Sequence, residues 1–389
     1  MAIGIMLAAQ PAIAEIQPQA VDLGGFNFTP TIGISQSLDN NIFNQPNGRR
    51  SSGISRFTPQ LQLFAQKDAN TLALTYGGDY GIYANSDNDD YQDHSFSADA
   101  YLEMNSRNRF TLAASIAQLH DNRGTGSSEG AAATSRTKPD EYDLNGASAL
   151  WEYGADSARF GASFNITLAD IEYTNNRLET QFRDRDEVSL QARLYGRVQS
   201  KTRFFVELET RDIEYDTLPI SGGSLDSDQD TFSVGVVWEA TGKTTGTVKI
   251  GSTDKEFSAP SRQDADLNTW EVEVVWSPRT YSNVFFTSSS APRETNGTGT
   301  YIESRSHQVQ WLHDWSGRLH TSVSFALGND EYDNDPRSDD RLDYSFGVNY
   351  DLERWINLGF TYSYQELDSN TAVFDYDKRI IAFSVDLSL

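Results

Sequence analysis

The chain is built from short segments in which apolar and polar residues alternate, and the gaps between these segments are in turn long and short. Successive side chains of a β-strand point to opposite faces, so each segment predicts a strand with one apolar face. The long gaps lie near residues 39–52, 86–92, 120–140, 174–182, 217–228, 257–266, 291–301, 329–341 and 366–376. The short gaps lie near residues 67–70, 105–109, 154–157, 199–202, 241–244, 277–280, 314–317 and 353–354.

This interleaving distinguishes two all-β architectures. A soluble β-sandwich also alternates, but it has no reason to place its short connections at one end. The pattern predicts a transmembrane, antiparallel, up-and-down β-barrel of about 18 strands, each about 10–13 residues long. Short turns would face the periplasm and long loops the outside of a Gram-negative outer membrane. The barrel would occupy residues 26–389, after a periplasmic N-terminal segment at 15–25.

The first residues, MAIGIMLAAQPAIAEI, form an apolar run that ends in Ala12-Ile13-Ala14. This ending is typical of a secretory cleavage site, so residues 1–14 are interpreted as a signal peptide. The basic region that usually precedes such a run is missing, which favours a truncated start. A buried N-terminal segment is the alternative. Nowhere else are there 18 consecutive apolar residues, as a transmembrane helix would need.

Six of the seven tryptophans lie within a few residues of a predicted short turn. Indole rings favour the boundary between lipid and water. These six therefore predict a girdle at the periplasmic membrane interface: Trp151, Trp238, Trp276, Trp311, Trp315 and Trp355.

The polar face of each strand would line the barrel interior. Its predicted lining residues are Asp79, Asp99, Glu103, Gln191, Arg193, Arg197, Glu207, Glu209, Arg211, Glu271, Glu273, Asn349 and Asp351. The turn near 199–202 would set Arg193 opposite Glu207 or Glu209, so opposite charges would meet across strands. These residues either hold the wall together or form a polar track for a hydrated solute. Three inward tyrosines could stack on sugar rings or pack under an inward-folded loop: Tyr83, Tyr101 and Tyr195.

Other chemistries have little support in the sequence. A net charge of -25 argues against a nucleic-acid partner, because a polyanion would be repelled, and the absence of cysteine excludes thiol chemistry. The histidines lack metal-ligand spacing, and Ser306 and His307 are adjacent on a strand and so face opposite ways. We expect no catalytic residue, no metal and no cofactor. The Asp- and Asn-rich long gaps predict solvated loops beside outer-membrane lipid and lipopolysaccharide.

Three stretches resemble the beta-barrel porin 2 family. These are FTPTIGISQSLDNNIF (28–43), the corner WSPRT (276–280) and the closing hairpin FTYSYQELDSN…YDKRIIAFSVDLSL. Leu38 stands where the family usually has an aromatic residue, and the chain ends in Leu389 rather than Phe or Trp. The resemblance covers most of the chain after about residue 22. It implies an outer-membrane barrel associated with exopolysaccharide biosynthesis and export, and it carries over no catalytic residue.

Three functions follow as hypotheses. The first is a channel or scaffold component of exopolysaccharide export, with a polysaccharide substrate and periplasmic export-machinery proteins as partners. The second is a general diffusion porin for small hydrophilic solutes, which opposed acidic and basic rows in the pore would favour. The third is a plugged barrel that acts as a surface structural protein or adhesin. In each of them, loop 120–140 is the natural candidate to fold inward and constrict the pore.

Overall fold

The computed structural model describes residues 20–155, 158–199, 201–220 and 222–388. Its strands are Val21–Asp22 (β1), Asn27–Asp39 (β2), Ser52–Lys67 (β3), Asn70–Tyr83 (β4), Tyr91–Asn105 (β5), Asn108–Asp121 (β6), Asp140–Tyr153 (β7), Phe160–Tyr173 (β8), Arg185–Gln199 (β9), Thr202–Tyr215 (β10), Ser227–Thr241 (β11), Thr244–Phe257 (β12), Ala265–Arg279 (β13), Ser282–Glu294 (β14), Tyr301–Asp314 (β15), Leu319–Tyr332 (β16), Ser338–Glu353 (β17), Ile356–Ser369 (β18) and Tyr376–Ser388 (β19). Short helical turns lie in three of the long loops, at Asp87–Asp89, Gly126–Ser128, Ala132–Ser135, Arg177–Thr180 and Gln181–Arg183.

Strands β2 to β19 form a closed antiparallel barrel of 18 strands, which confirms the predicted fold class. Each strand pairs with the next along the chain, and β19 closes the ring on β2 from Ile380↔Asp39 to Ser388↔Thr31. Strand β1 adds a short pairing to the start of β2. The predicted signal peptide and the first residues of the predicted periplasmic segment lie outside the described residues. None of the described helices is long and apolar enough to cross a membrane.

Two predictions about the strands were wrong. The barrel strands have 13 to 16 residues, as β2 and β3 show, rather than about 10–13. Their polar ends at the long-loop side continue the sheet, so stretches predicted as loop, such as 329–341, shorten to residues 333–337. The predicted corner at 277–280 also moves, because β13 runs on to Arg279 through a bulge after Trp276. Pro278 lies in that bulge, where its missing N–H leaves no ladder bond broken.

The outward face carries exposed apolar side chains, and the inward face carries polar ones. Leu194 and Leu208 are 62% and 61% exposed, whereas their neighbours Arg193 and Glu207 turn to the other face. Charged side chains from strands two apart meet on that other face, as Lys249 of β12 meets Glu207 of β10. Such contacts occur on the concave side of a curved sheet, so the polar face lines the interior.

Near the long loops, the outward face changes from apolar to acidic. Carboxylates there lie directly opposite one another on adjacent strands, in a set that we call the acidic ridge: Asp170 and Asp186, Asp212 and Asp228, and Asp254 and Asp266. Directly opposed like charges destabilise a sheet, so this arrangement costs stability. The ridge places part of the net charge of -25 on the outer surface of the barrel. The net charge of the whole chain therefore does not give the charge of the barrel interior.

Adjacent residues of β14 test the assignment of the two faces. Phe286 faces outward between Val274 and Val309, whereas Thr287 faces inward beside Glu273. We expect Phe286→Lys to lower the free energy of unfolding in lipid vesicles by about 2–4 kcal/mol, because a cation would enter the apolar belt. Thr287→Lys should cost far less, since a cation there meets a carboxylate. The free energy of unfolding of both variants is measured by urea titration, with the folded fraction read from the heat-modifiable band on a gel. Equal losses of stability in the two variants would contradict the assignment of the faces.

Candidate functional site: the barrel interior and its outer mouth

All of the predicted lining residues named above, from Asp79 to Asp351, lie on the inward face. On each strand they alternate with outward apolar residues, as Arg193 does with the exposed Leu194. The tyrosines at 83, 101 and 195 share the same face by the same alternation. Their position is therefore given by the geometry, and a role in conducting a solute stays a prediction.

A network of charges joins β9, β10, β12 and β13 inside the barrel. The predicted cross-strand pair is confirmed, because Glu207 lies opposite Arg193 and forms an ion pair with it. The side chain of Glu207 is only 2% exposed, and its Oε1 also lies 3.0 Å from Lys249 Nζ. Lys249 Nζ lies 3.0 Å from Glu271 as well. One buried carboxylate is thus held by two cations from different strands.

The remaining predicted lining residues are spread along the wall and form no single cluster. Gln191 donates to Glu209 at 3.3 Å, and Arg211 pairs with Glu187. Asp79 pairs with Arg56, Asp99 accepts from Ser97 at 3.1 Å, and Asp351 accepts from Asn357 at 2.8 Å. Other inward neighbours follow from the register: Glu103 opposite Arg109, Arg197 opposite Arg203, Glu273 opposite Thr287, and Asn349 opposite Gly359.

The three tyrosines differ in how open their rings are. Tyr83 is 8% exposed, packs with Ile42, Phe43 and Ala133, and donates to Asn122 Oδ1 at 3.2 Å. The ring of Tyr195 lies 5.3 Å from the guanidinium of Arg203. Tyr101 lies opposite Thr71 and Thr111. Sugar stacking stays a prediction for all three, and loop residues cover Tyr83.

The six girdle tryptophans lie at the short-turn end of the barrel. Four are exposed, namely Trp151, Trp276, Trp315 and Trp355. Several indole N–H groups donate to side chains on the same rim, such as Trp151 to Asn108 at 3.1 Å and Trp315 to Thr321 at 3.0 Å. The seventh, Trp270, faces outward nearer the long-loop end and donates to Ser288 at 2.9 Å. Contact with a membrane interface stays a prediction.

The loop at 122–139 folds across the outer mouth. Asn44 and Gln45 of the β2–β3 loop donate to the carbonyls of Gly124 and Gly130, at 3.1 and 2.7 Å. A Cβ at Gly130 would come within 3.0 Å of the ring of Phe374, in the β18–β19 loop. Arg123 stacks on Phe43 and donates to Asp89 through Nε at 2.6 Å. The loop is therefore fastened to several parts of the rim.

One contact of this loop reaches nearly halfway around the ring. Glu129 accepts from Arg337 Nη1, at 2.7 Å, in the β16–β17 loop. The Arg337 guanidinium lies between the rings of Tyr332 and Phe374, at 4.4 and 3.6 Å, and also pairs with Asp339. Burial raises the pKa of Glu129 above its ordinary value, although Arg337 opposes this. For Arg337, burial lowers the pKa, but Asp339 and Glu129 raise it further, so the cation stays charged.

Sequence patterns alone missed the residues that build this mouth. Arg337 is the single cation in the acidic run NDEYDNDPRSDD. This isolated position is the one feature of the local sequence that could have indicated its role. The pairing of Glu129 with Arg337 joins positions 208 residues apart, which no short motif encodes. Among the described residues, no group of three or more His, Asp or Glu side chains could hold a metal ion.

Three solved structures from Pseudomonas aeruginosa are similar to this barrel in fold. OpdO superposes with a TM-score of 0.52 at 12% identity, covering 93% of this chain and 97% of that chain. A structure of OccK3 (OpdO) gives 0.51 at 14% identity, covering 93% and 96%. OpdK with vanillate gives 0.50 at 11% identity, covering 93% and 99%. At these identities the similarity shows the fold alone.

Sequence comparison assigns a family. No curated protein matches the chain. The family described as "Putative beta-barrel porin 2" matches residues 14–389, nearly the whole sequence. This match agrees with the closed 18-strand barrel, its apolar outer belt and its polar interior. The chain therefore belongs to this family of porins and is a β-barrel of the bacterial outer membrane.

Proposed function

We propose that the protein is a diffusion channel for small hydrophilic solutes, narrowed at its outer mouth by loop 122–139. Barrels of this strand number are wide enough for an aqueous lumen. Inward side chains are polar or charged along most strands, and the family description names a porin. A polar wall lets a hydrated solute keep hydrogen-bonding partners as it moves.

The observation that carries this proposal is the charge pattern of the two sides of the lumen. On β9, β10 and β12 the inward cations outnumber the carboxylates Glu187, Glu207 and Glu209. These cations are Arg185, Arg193, Arg197, Arg203, Arg211, Lys249 and Lys255. On the far side, β16 to β19 and β2 present two inward cations, Arg341 and Lys378, and a larger number of carboxylates: Asp330, Asp339, Asp343, Asp351, Asp386 and Asp39. Such opposed charges create a field across the lumen that orients polar solutes.

The two rival hypotheses have less support. The comparisons name neither a polysaccharide nor an export machinery, so the exopolysaccharide association rests on the resemblance alone. A glycan chain would also need loop 122–139 to move, and the contacts of Glu129 with Arg337 and of Arg123 with Asp89 hold that loop in place. A plugged adhesin does not require a charge difference between two walls.

Conductance of the refolded protein in planar bilayers tests the proposal. We expect stable single-channel currents that neutral oligosaccharides leave unchanged. Currents that neutral oligosaccharides block would favour a glycan conduit. A silent barrel, shown to be folded by its heat-modifiable mobility, would favour the plugged form.

The contact between Glu129 and Arg337 predicts that loop 122–139, held in place by this ion pair, limits the width of the outer mouth. Arg337→Ala leaves Asp339 and Glu129 without their cation, and removal of one partner from a buried pair costs about 3–5 kcal/mol. We expect faster hydrogen exchange in residues 122–139 and larger, noisier single-channel currents.

Arg305→Ala is the matched control for this variant. Arg305 faces outward and pairs with Glu303 and Glu331, and its side chain is 36% exposed. Exposed pairs contribute about 0–1 kcal/mol, so exchange and current should stay as in the parent protein. Unchanged exchange in Arg337→Ala would show that this contact does not hold the loop.

A further inference from the structure

A cavity of about 310 Å³ lies beneath loop 122–139. Gly124, Gly126 and Gly130 of the loop border it on one side, and the upper ends of strands from both walls border it on the other. One water needs about 10–15 Å³ of such volume, so the cavity is large enough for a small organic solute. Its charged lining residues are Arg183, Arg185, Arg293, Arg337, Arg341, Glu129, Glu294, Asp330 and Asp339.

Three of the four lining carboxylates form ion pairs with nearby cations. Glu129 and Asp339 both bind Arg337. Glu294 lies 2.9 Å from Lys255 Nζ and also accepts from Tyr215 at 2.8 Å. Glu294 is thus balanced by Lys255, whereas Glu129 and Asp339 share one cation and their group has a net charge of −1.

The fourth carboxylate, Asp330, is shared by two arginines. Arg293 Nη2 lies 2.9 Å from its Oδ2, and Arg341 Nη2 lies 3.0 Å from its Oδ1. Two cations on one carboxylate give the group a net charge of +1. Among the described residues, the Nε atoms of Arg293, Arg341 and Arg183 are buried without a hydrogen-bond partner. These Nε atoms are inaccessible to a solute, and the guanidinium groups that line the cavity beside Asp330 are those of Arg293 and Arg341.

The barrel wall also leaves space for the guanidinium of Arg341. A Cβ at Gly328 would lie 2.9 Å from Arg341 Nη2 and 3.0 Å from its Cζ and Nε. Only a glycine lets the guanidinium lie against β16. Arg341 pairs in register with Gly328, so the missing side chain at this position leaves space for the guanidinium.

We propose that this cavity is a binding site for small organic carboxylates, formed by Arg293 and Arg341. This inference rests on the proposed diffusion channel and names the solute class that the channel favours. A guanidinium group presents N–H donors in a planar fork that matches the two oxygens of a carboxylate. The five arginines that line the cavity exceed its four carboxylates by one charge, which supplies the attraction, and a neutral solute would gain no such interaction.

Benzoate is the probe, and its block of the chloride current in bilayers is the first measurement. We expect anion-selective reversal potentials in a potassium chloride gradient and a block that rises with benzoate concentration. Arg293→Gln with Arg341→Gln should weaken the block about tenfold or more, because charge-assisted hydrogen bonds are lost. Arg305→Gln removes an equal charge from the outward face and should leave the block unchanged.

Asp330→Asn tests the same site in the opposite direction. It raises the net charge beside Arg293 and Arg341, so the block should strengthen. If the block is the same in the parent protein, in the double variant and in Asp330→Asn, the site is wrong, provided that all of them show heat-modifiable mobility.

Calorimetric titration of the detergent-solubilised barrel with benzoate separates this inference from the proposed function. Binding that the double variant loses, in a barrel that carries no current, would support the site and contradict the channel. Current without benzoate block or benzoate binding would support the channel and contradict the site.

Discussion

Backbone hydrogen bonding in a medium without water is the constraint on which the rest of this structure depends. A sheet that crosses lipid cannot leave an edge, and the pairing of β2 with β19 removes the last one. Closure also fixes the register of every strand. A slip of one residue in β9 would turn Leu194 inward and Arg193 outward, so the same pairing that satisfies the backbone determines the chemistry of the interior.

The interior then has to accommodate many charges in a confined space. The same solution recurs in three places, where one carboxylate is held by two cations. Glu187 is held by Arg185 and Arg211, Glu207 by Arg193 and Lys249, and Asp330 by Arg293 and Arg341. At Glu187 and at Asp330 the two cations exceed the carboxylate by one charge, whereas at Glu207 the second carboxylate Glu271 balances Lys249. Mutual neutralisation therefore allows many charged side chains to remain in the interior of the barrel.

The period of two and the order of turn lengths predicted the number of strands, their faces and the pair Arg193–Glu207, because these are local properties. Strand ends were harder to predict, since polar residues such as Asp330 continue the sheet but resemble loop residues. Pro278 indicated a turn and instead occupies a bulge. The contacts across the mouth were beyond sequence patterns, because Glu129 and Arg337 meet only once the ring is closed.

The seam between β2 and β19 also affects how the protein can be made. Asn41, beside the first barrel strand, bonds the carbonyl of Asp377, 336 positions later. Pairings between neighbours in sequence can form while the chain is still incomplete, but this one requires both ends together. Until the final strand arrives, the curved sheet has two open edges able to pair with another chain. Pairing of β2 with β19 is thus the last step of barrel assembly, and it lowers the risk of aggregation because it removes both open edges.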